Sequence, residues 1–103
     1  MLNVWTPTLD RAAKLPVIFY IHGGAGKMGT AMSPRLGGNE LAARGACFVG
    51  INYRLGVWGF LAHPALTAED PNGSSGNYAI LDQSAPPPLP AARHHPAGHS
   101  WAA

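Results

Sequence analysis

Pro16-Val17-Ile18-Phe19-Tyr20-Ile21-His22-Gly23-Gly24-Ala25-Gly26 is the stretch that decides how this chain is read. Val17 to Ile21 is a short run of β-branched, aromatic and apolar residues. It reads as a strand buried on both faces, as in a parallel sheet. His22 to Gly26 then breaks the strand and opens a loop. Glycine there lets the backbone turn sharply and lets a ligand come close to it. Peptide N–H groups left bare at the end of a central strand can be aimed at a negative oxygen, which is the physics of an oxyanion hole. The same glycines also fit a plain strand-to-loop turn without chemistry. This stretch alone leaves both readings open.

Upstream, Leu2 to Thr6 alternates apolar and polar and reads as a strand, ended by Thr6-Pro7-Thr8. Leu9 to Lys14 is a polar connection, either the tip of a hairpin or a crossover. Downstream, Lys27 to Gly38 holds Gly29, Ser33, Pro34, Gly37 and Gly38, and reads as a long irregular loop of the kind that is often functional. Asn39 is placed to cap a short helix, Glu40 to Arg44, with Glu40 near its positive end. Gly45 closes that helix, and Ala46 to Asn52 is the next buried strand. Strand, loop, helix, strand implies a parallel βαβ unit. In Asn52 to Leu61, glycines among large apolar residues suggest backbone packed tightly under side chains. Thr67 to Gly76 reads as a polar loop, and Asn77 to Gln83 as two turns of helix.

From Ser84 the character changes. Of the last 20 residues, five are proline, six alanine and three histidine. Pro86-Pro87-Pro88 cannot continue a helix, so the segment reads as extended or disordered. The chain therefore divides into a domain at residues 1–83 and an irregular tail at 84–103. His94, His95 and His99 lie close together, but no acidic or cysteine partner is near and a proline-rich segment fixes no geometry, so they make a poor metal set.

A chain of 103 residues is enough for one small domain, and 47% hydrophobic residues set it apart from disordered chains. Charged residues make up only 12% against roughly 25% in an average soluble domain, which suggests that much of the surface is covered by something else. The net charge of +2 comes from scattered basic residues. No basic stripe with interleaved aromatics is present, which argues against nucleic acid as a partner. The apolar runs fall short of the ~20 residues of a membrane span, so no membrane partner is expected. No basic segment leading into an apolar one follows Met1, which points towards the cytoplasm. Cys47 is the only cysteine, so no internal disulfide forms, and its apolar neighbours suggest a buried thiol.

Four segments in order carry a resemblance. They are Leu2-Asn3-Val4-Trp5-Thr6-Pro7; Leu15-Pro16-Val17 through Ile21-His22-Gly23-Gly24-Ala25; Asn52-Tyr53-Arg54-Leu55-Gly56 with Gly59-Phe60-Leu61; and Gly76-Asn77-Tyr78 with Leu81-Asp82-Gln83. Together they resemble the N-terminal part of a type B carboxylesterase, in the α/β-hydrolase branch that also holds the cholinesterases. Strand followed by His-Gly-Gly is the lipase and esterase signature of the oxyanion loop. The resemblance implies an α/β fold class: a partial α/β-hydrolase fold, with the N-terminal strands and first βαβ unit of a mostly parallel sheet. It implies a small-molecule ester as substrate and no cofactor. Gly24 and Ala25 fall where backbone N–H groups form two arms of the oxyanion hole, with Gly23 supporting the turn. Many members have glycine where this chain has Ala25, and alanine fits there only if its φ is negative. Arg54 and Asp82 resemble a buried ion pair that ties the strand to the following helix.

The family's Gly-x-Ser-x-Gly nucleophile elbow is absent from these residues. Gly73-Ser74-Ser75-Gly76-Asn77 comes nearest, lacks the final glycine and reads as a solvated turn. Neither His22 nor His63 has a serine and an acid placed to complete a triad. Met1 stands where the family has an acidic-Cys-Leu-Tyr segment. After Gln83 the family continues with an Ala-Ala-Leu, Trp-containing helix. The Pro, Ala, Arg and His found here instead are what GC-rich DNA yields out of frame, which suggests a frameshift or misread boundary near residue 84. Two functions follow: a carboxylic ester hydrolase lineage acting through an acyl-serine, of which this chain keeps the oxyanion loop, or a non-catalytic esterase-like interaction module or truncated product.

Overall fold

Leu2–Trp5, Val17–Ile21 and Cys47–Ile51 form strands β1, β2 and β3, and Gly38–Ala43 forms helix α1. Three helices follow: α2 at Gly56–Phe60, α3 at Pro64–Glu69 and α4 at Tyr78–Ser84. The computed structural model describes residues 1–85. The reading of the segment beyond Ala85, with His94, His95 and His99, lies outside the described residues. The described residues divide into two compact units. One comprises Met1–His22 and Thr30–Asn52, and the other comprises Gly23–Gly29 and residues 53–85.

The first unit is a three-stranded sheet of order β1-β3-β2 with α1 against it. β3 runs antiparallel to β1, with Leu2 opposite Ile51 and Trp5 opposite Phe48. It runs parallel to β2, with Val17 opposite Cys47 and Ile21 opposite Ile51. The segment β2-α1-β3 is thus the expected parallel βαβ unit. Because β1 and β2 flank β3 on opposite sides, Leu9–Lys14 is a crossover and not a hairpin tip.

Side chains alternate between the two faces of the sheet, as the two-residue period of a strand requires. Val4 packs on Val49 on one face of the sheet, joined by Leu2 and Cys47. On the other face Trp5, Phe48 and Ala42 of α1 form a second cluster, bordered by Tyr20, Leu36 and Leu41. The Trp5 and Phe48 rings lie 5.4 Å apart at 59°, a tilted geometry that aromatic pairs favour. Gly38 and Gly50 allow this closeness. A Cβ on Gly38 would lie 2.8 Å from Trp5 Cδ2, and one on Gly50 would lie 2.7 Å from Ala31 Cβ. Asn52 fixes the overlying segment, its Oδ1 accepting from Ala31 N at 2.7 Å and Thr30 Oγ1 at 3.3 Å.

Three expectations change here. β2 is not buried on both faces: Val17 is 54% exposed, Ile18 40%, Phe19 38% and Ile21 43%. It is an edge strand of this sheet, and among the described residues only β3 pairs with it. Asn39 does not cap α1. Gly37, at φ 62, occupies that position and makes no side-chain cap bond, and Gly38 begins the helix. Gly45 does end the helical segment in the left-handed region, at φ 89. Cys47 is half-buried rather than buried; desolvation pushes its thiol pKa up, opposed by a hydrogen bond with Thr6.

In the second unit α2 packs against α4 through Gly59 and Ala79, both buried. A Cβ on Gly59 would overlap the Arg54 carbonyl and stand 3.0 Å from Ala79 Cβ, so the backbone is packed as tightly as its glycines suggested. The expected polar loop from Thr67 begins instead inside α3. His63 Nδ1 accepts from Ala65 N at 3.2 Å and Pro64 sits at the helix start, where its missing N–H costs nothing. The rest is a turn closed by Asp70, whose Oδ2 accepts from Ser74 N at 3.0 Å and Ser74 Oγ at 2.6 Å. Those bonds hold the Asp70 carboxyl below its usual range. Among the described residues no helix is long and apolar enough to cross a membrane.

Candidate oxyanion loop

The loop Gly23–Gly29 is built on backbone geometry that ordinary residues avoid. Gly24, Ala25 and Gly26 take φ values of 131, 53 and 70 in succession. The Gly24 carbonyl accepts from Lys27 N at 3.0 Å and Met28 N at 3.3 Å, which closes the turn. A Cβ on Gly24 would overlap the Met28 carbonyl, so shape and φ both require glycine there. Gly23 differs, because a Cβ at that position would meet nothing within 4 Å.

Ala25 departs from expectation. Its φ is 53, not negative. An L-residue in the left-handed region costs roughly 1–2 kcal/mol, so the loop holds a strained alanine where the family often has glycine.

The N–H groups of Gly24 and Ala25 donate to no group among the described residues. Successive backbone N–H groups in a turn make an anion-binding concavity. The loop is anchored at its far end: the Gly26 carbonyl accepts from Gly56 N at 2.7 Å. A Cβ on Gly26 would come within 2.7 Å of Phe60 Cε2 and 3.0 Å of Phe60 Cζ, so the ring fills the space a side chain there would take. Sequence reasoning singled out Gly59-Phe60-Leu61 for the resemblance and gave Phe60 no role. Its signal was an aromatic four residues after Gly56, one helical turn away.

Arg54 and Asp82 meet as a fork. Arg54 Nε and Nη2 donate to Asp82 Oδ2 and Oδ1 at 2.9 and 2.8 Å, and Arg54 N donates to Oδ2 at 2.9 Å. The guanidinium also lies 5.2 Å from the Tyr78 ring centroid. The pair is not buried, since its side chains are 51% and 29% exposed. The bonds from Arg54 hold the Asp82 carboxyl below its usual value.

The serines of Gly73-Ser74-Ser75-Gly76-Asn77 are engaged in the turn. Ser74 bonds Asp70, and Ser75 Oγ lies 2.7 Å from Thr67 Oγ1 and accepts from His63 N at 3.1 Å. His63 Nδ1 is taken up in capping α3, so it activates neither serine. Among the described residues no cluster of three or more His, Cys, Asp or Glu side chains could hold a metal ion.

A sequence model of the carboxylesterase family matches residues 1–86. The chain is 46% identical over 84 residues to a fumonisin B1 esterase of Sphingopyxis macrogoltabida, covering 82% of this chain and 16% of that one. It is 42% identical over 86 residues to a liver carboxylesterase of Sus scrofa, covering 82% and 14%. Among solved structures it resembles a carboxylesterase of Geobacillus stearothermophilus, with a TM-score of 0.67 and 42% identity over 80% of this chain and 18% of that one. The chain thus spans less than a fifth of the length of these relatives. With a partial α/β-hydrolase architecture, and with the family's sequence running through nearly every described residue, the chain belongs to the carboxylesterase family.

Proposed function

We propose that residues 1–83 are the oxyanion-loop portion of a carboxylic ester hydrolase that works through an acyl-serine. Gly24 and Ala25 supply two backbone N–H donors to the tetrahedral oxyanion, and Gly23 gives the turn its entry. The observation that carries this reading is the pair of adjacent N–H groups with no partner among the described residues, on a turn that holds Ala25 at a costly φ of 53. The substrate class is a small carboxylic ester, and no cofactor takes part.

The serine nucleophile is supplied from sequence not among these 103 residues, which hold no Gly-x-Ser-x-Gly. Without a nucleophile the covalent route is closed, so these residues by themselves do not turn over esters. The test is to label the 103-residue chain with a fluorophosphonate probe and to assay p-nitrophenyl ester hydrolysis. No labelling and background turnover are expected. Stoichiometric labelling would overturn the reading and would point to Ser74 or Ser75.

A further inference from the structure

Phe60 is the only large side chain found against the oxyanion turn from outside it among the described glycine environments, and nothing in the chemistry above requires it. We infer that Phe60 is a positioning residue: its ring, with the Gly56 N–H, holds Gly26 and thereby sets where the Gly24 and Ala25 N–H groups point. The inference rests on the oxyanion reading of the loop.

Three observations carry it. The bonds from Lys27 N and Met28 N to the Gly24 carbonyl close the turn on itself but fix it to nothing else. Gly26 is held from outside the turn, its carbonyl taking the Gly56 N–H at 2.7 Å and the ring of Phe60 covering the position a side chain would occupy. Gly56 and Phe60 are the first and last residues of α2, so one short helix grips the glycine at two points.

That helix is itself held. Gly59 presses on the Arg54 carbonyl and Ala79, Gly59 N donates to Leu55 O at 3.3 Å, and Arg54 is forked onto Asp82 of α4. The ring therefore has a firm backing. Gly26, at φ 70, has no side chain of its own to limit its conformations. Remove the ring, and Gly26 gains room two residues from the donor at Gly24. Oxyanion donors stabilise the transition state only when preorganised, so a loosened turn loses rate without losing substrate affinity.

Two experiments together test this. In the 103-residue chain, the Gly26 α-protons should show a ring-current shift by NMR that disappears in Phe60→Ala and persists in Phe60→Tyr. For the rate, residues 1–85 are placed in the Geobacillus stearothermophilus carboxylesterase in exchange for its matched segment, and the same variants are made there. Phe60→Ala should lower kcat on the order of 10- to 100-fold, the scale of a small misplacement at a reacting centre, with KM little changed. Phe60→Tyr should restore kcat to within a few-fold. If Phe60→Ala does not fold, Phe60→Leu takes its place, with the same loss expected. An unshifted Gly26 signal, an unchanged kcat, or equal losses in KM and kcat would each overturn the positioning role. Those results leave the oxyanion reading itself to the separate removal of a donor at Ala25, so the two can fail independently.

Discussion

At the scale of single residues, Ala25 and Gly24 separate two kinds of glycine position. Gly24 is required by both φ and space, whereas Ala25 is an alanine in glycine territory, at φ 53. Ala25→Gly should therefore stabilise the chain by roughly 0.5–1 kcal/mol, the strain released less the extra freedom of the unfolded chain. A higher urea midpoint is expected, and a lower one would count against a left-handed Ala25. The family pattern runs through Ala25, which is what proposes it as a donor position. It could not supply the sign of φ, which is set by the turn closing onto the Gly24 carbonyl. Arg54 and Asp82 tell a similar story. Their pairing was legible, but their exposure was not, because exposure depends on what else packs around them. As an exposed pair they contribute up to about 1 kcal/mol, so Asp82→Asn should cost no more than that. The Asp82 carboxyl titrates below its unfolded value, so the folded state binds fewer protons than the unfolded state through the range between the two pKa values. The contribution is complete above the ordinary carboxylate range and is lost as pH falls through the lowered value. The difference in thermal midpoint between the parent chain and Asp82→Asn should shrink on acidification; a difference that grows would contradict the pairing.

At the scale of elements, β1, β3, α4 and the parallel β2-α1-β3 unit were all legible from alternation, short apolar runs and glycine punctuation. α2 and α3 were not. Gly-Val-Trp-Gly-Phe has poor intrinsic helix propensity and is held by packing, with Gly59 admitting the Arg54 carbonyl and Ala79. Gly59→Ala should accordingly destabilise the chain by about 3 kcal/mol through overpacking, seen as a lower denaturation midpoint. The start of α3 had a signal in Pro64 and the capping ring of His63, hidden by the polar residues that follow. For β2, the composition of Val17–Ile21 encodes a strand meant to be covered, yet these residues are largely exposed. An uncharged apolar edge strand is a template for pairing with other chains. Val17→Lys should reduce light scattering at high concentration while leaving the far-UV circular dichroism unchanged. Unchanged scattering would mean that association runs through another surface.

At the scale of the whole molecule, the low charge, the exposed edge strand and the match to less than a fifth of each relative's length point the same way. We propose that these residues carry the donors for an oxyanion, and they hold no Gly-x-Ser-x-Gly nucleophile of their own. The most direct measurement removes the Ala25 donor, with the turn bonds at Gly24 unchanged in partners though made to an ester carbonyl there. Cys47 offers a ligation junction: residues 1–46 are synthesised with Ala25 replaced by L-lactic acid and joined to the remainder of the Geobacillus chimera expressed from Cys47 onward. The ester oxygen then stands where the Ala25 N–H was. Loss of one oxyanion donor predicts a fall in kcat on the order of 10²–10³-fold, with KM little changed. A kcat equal to that of the all-amide chimera would contradict the account.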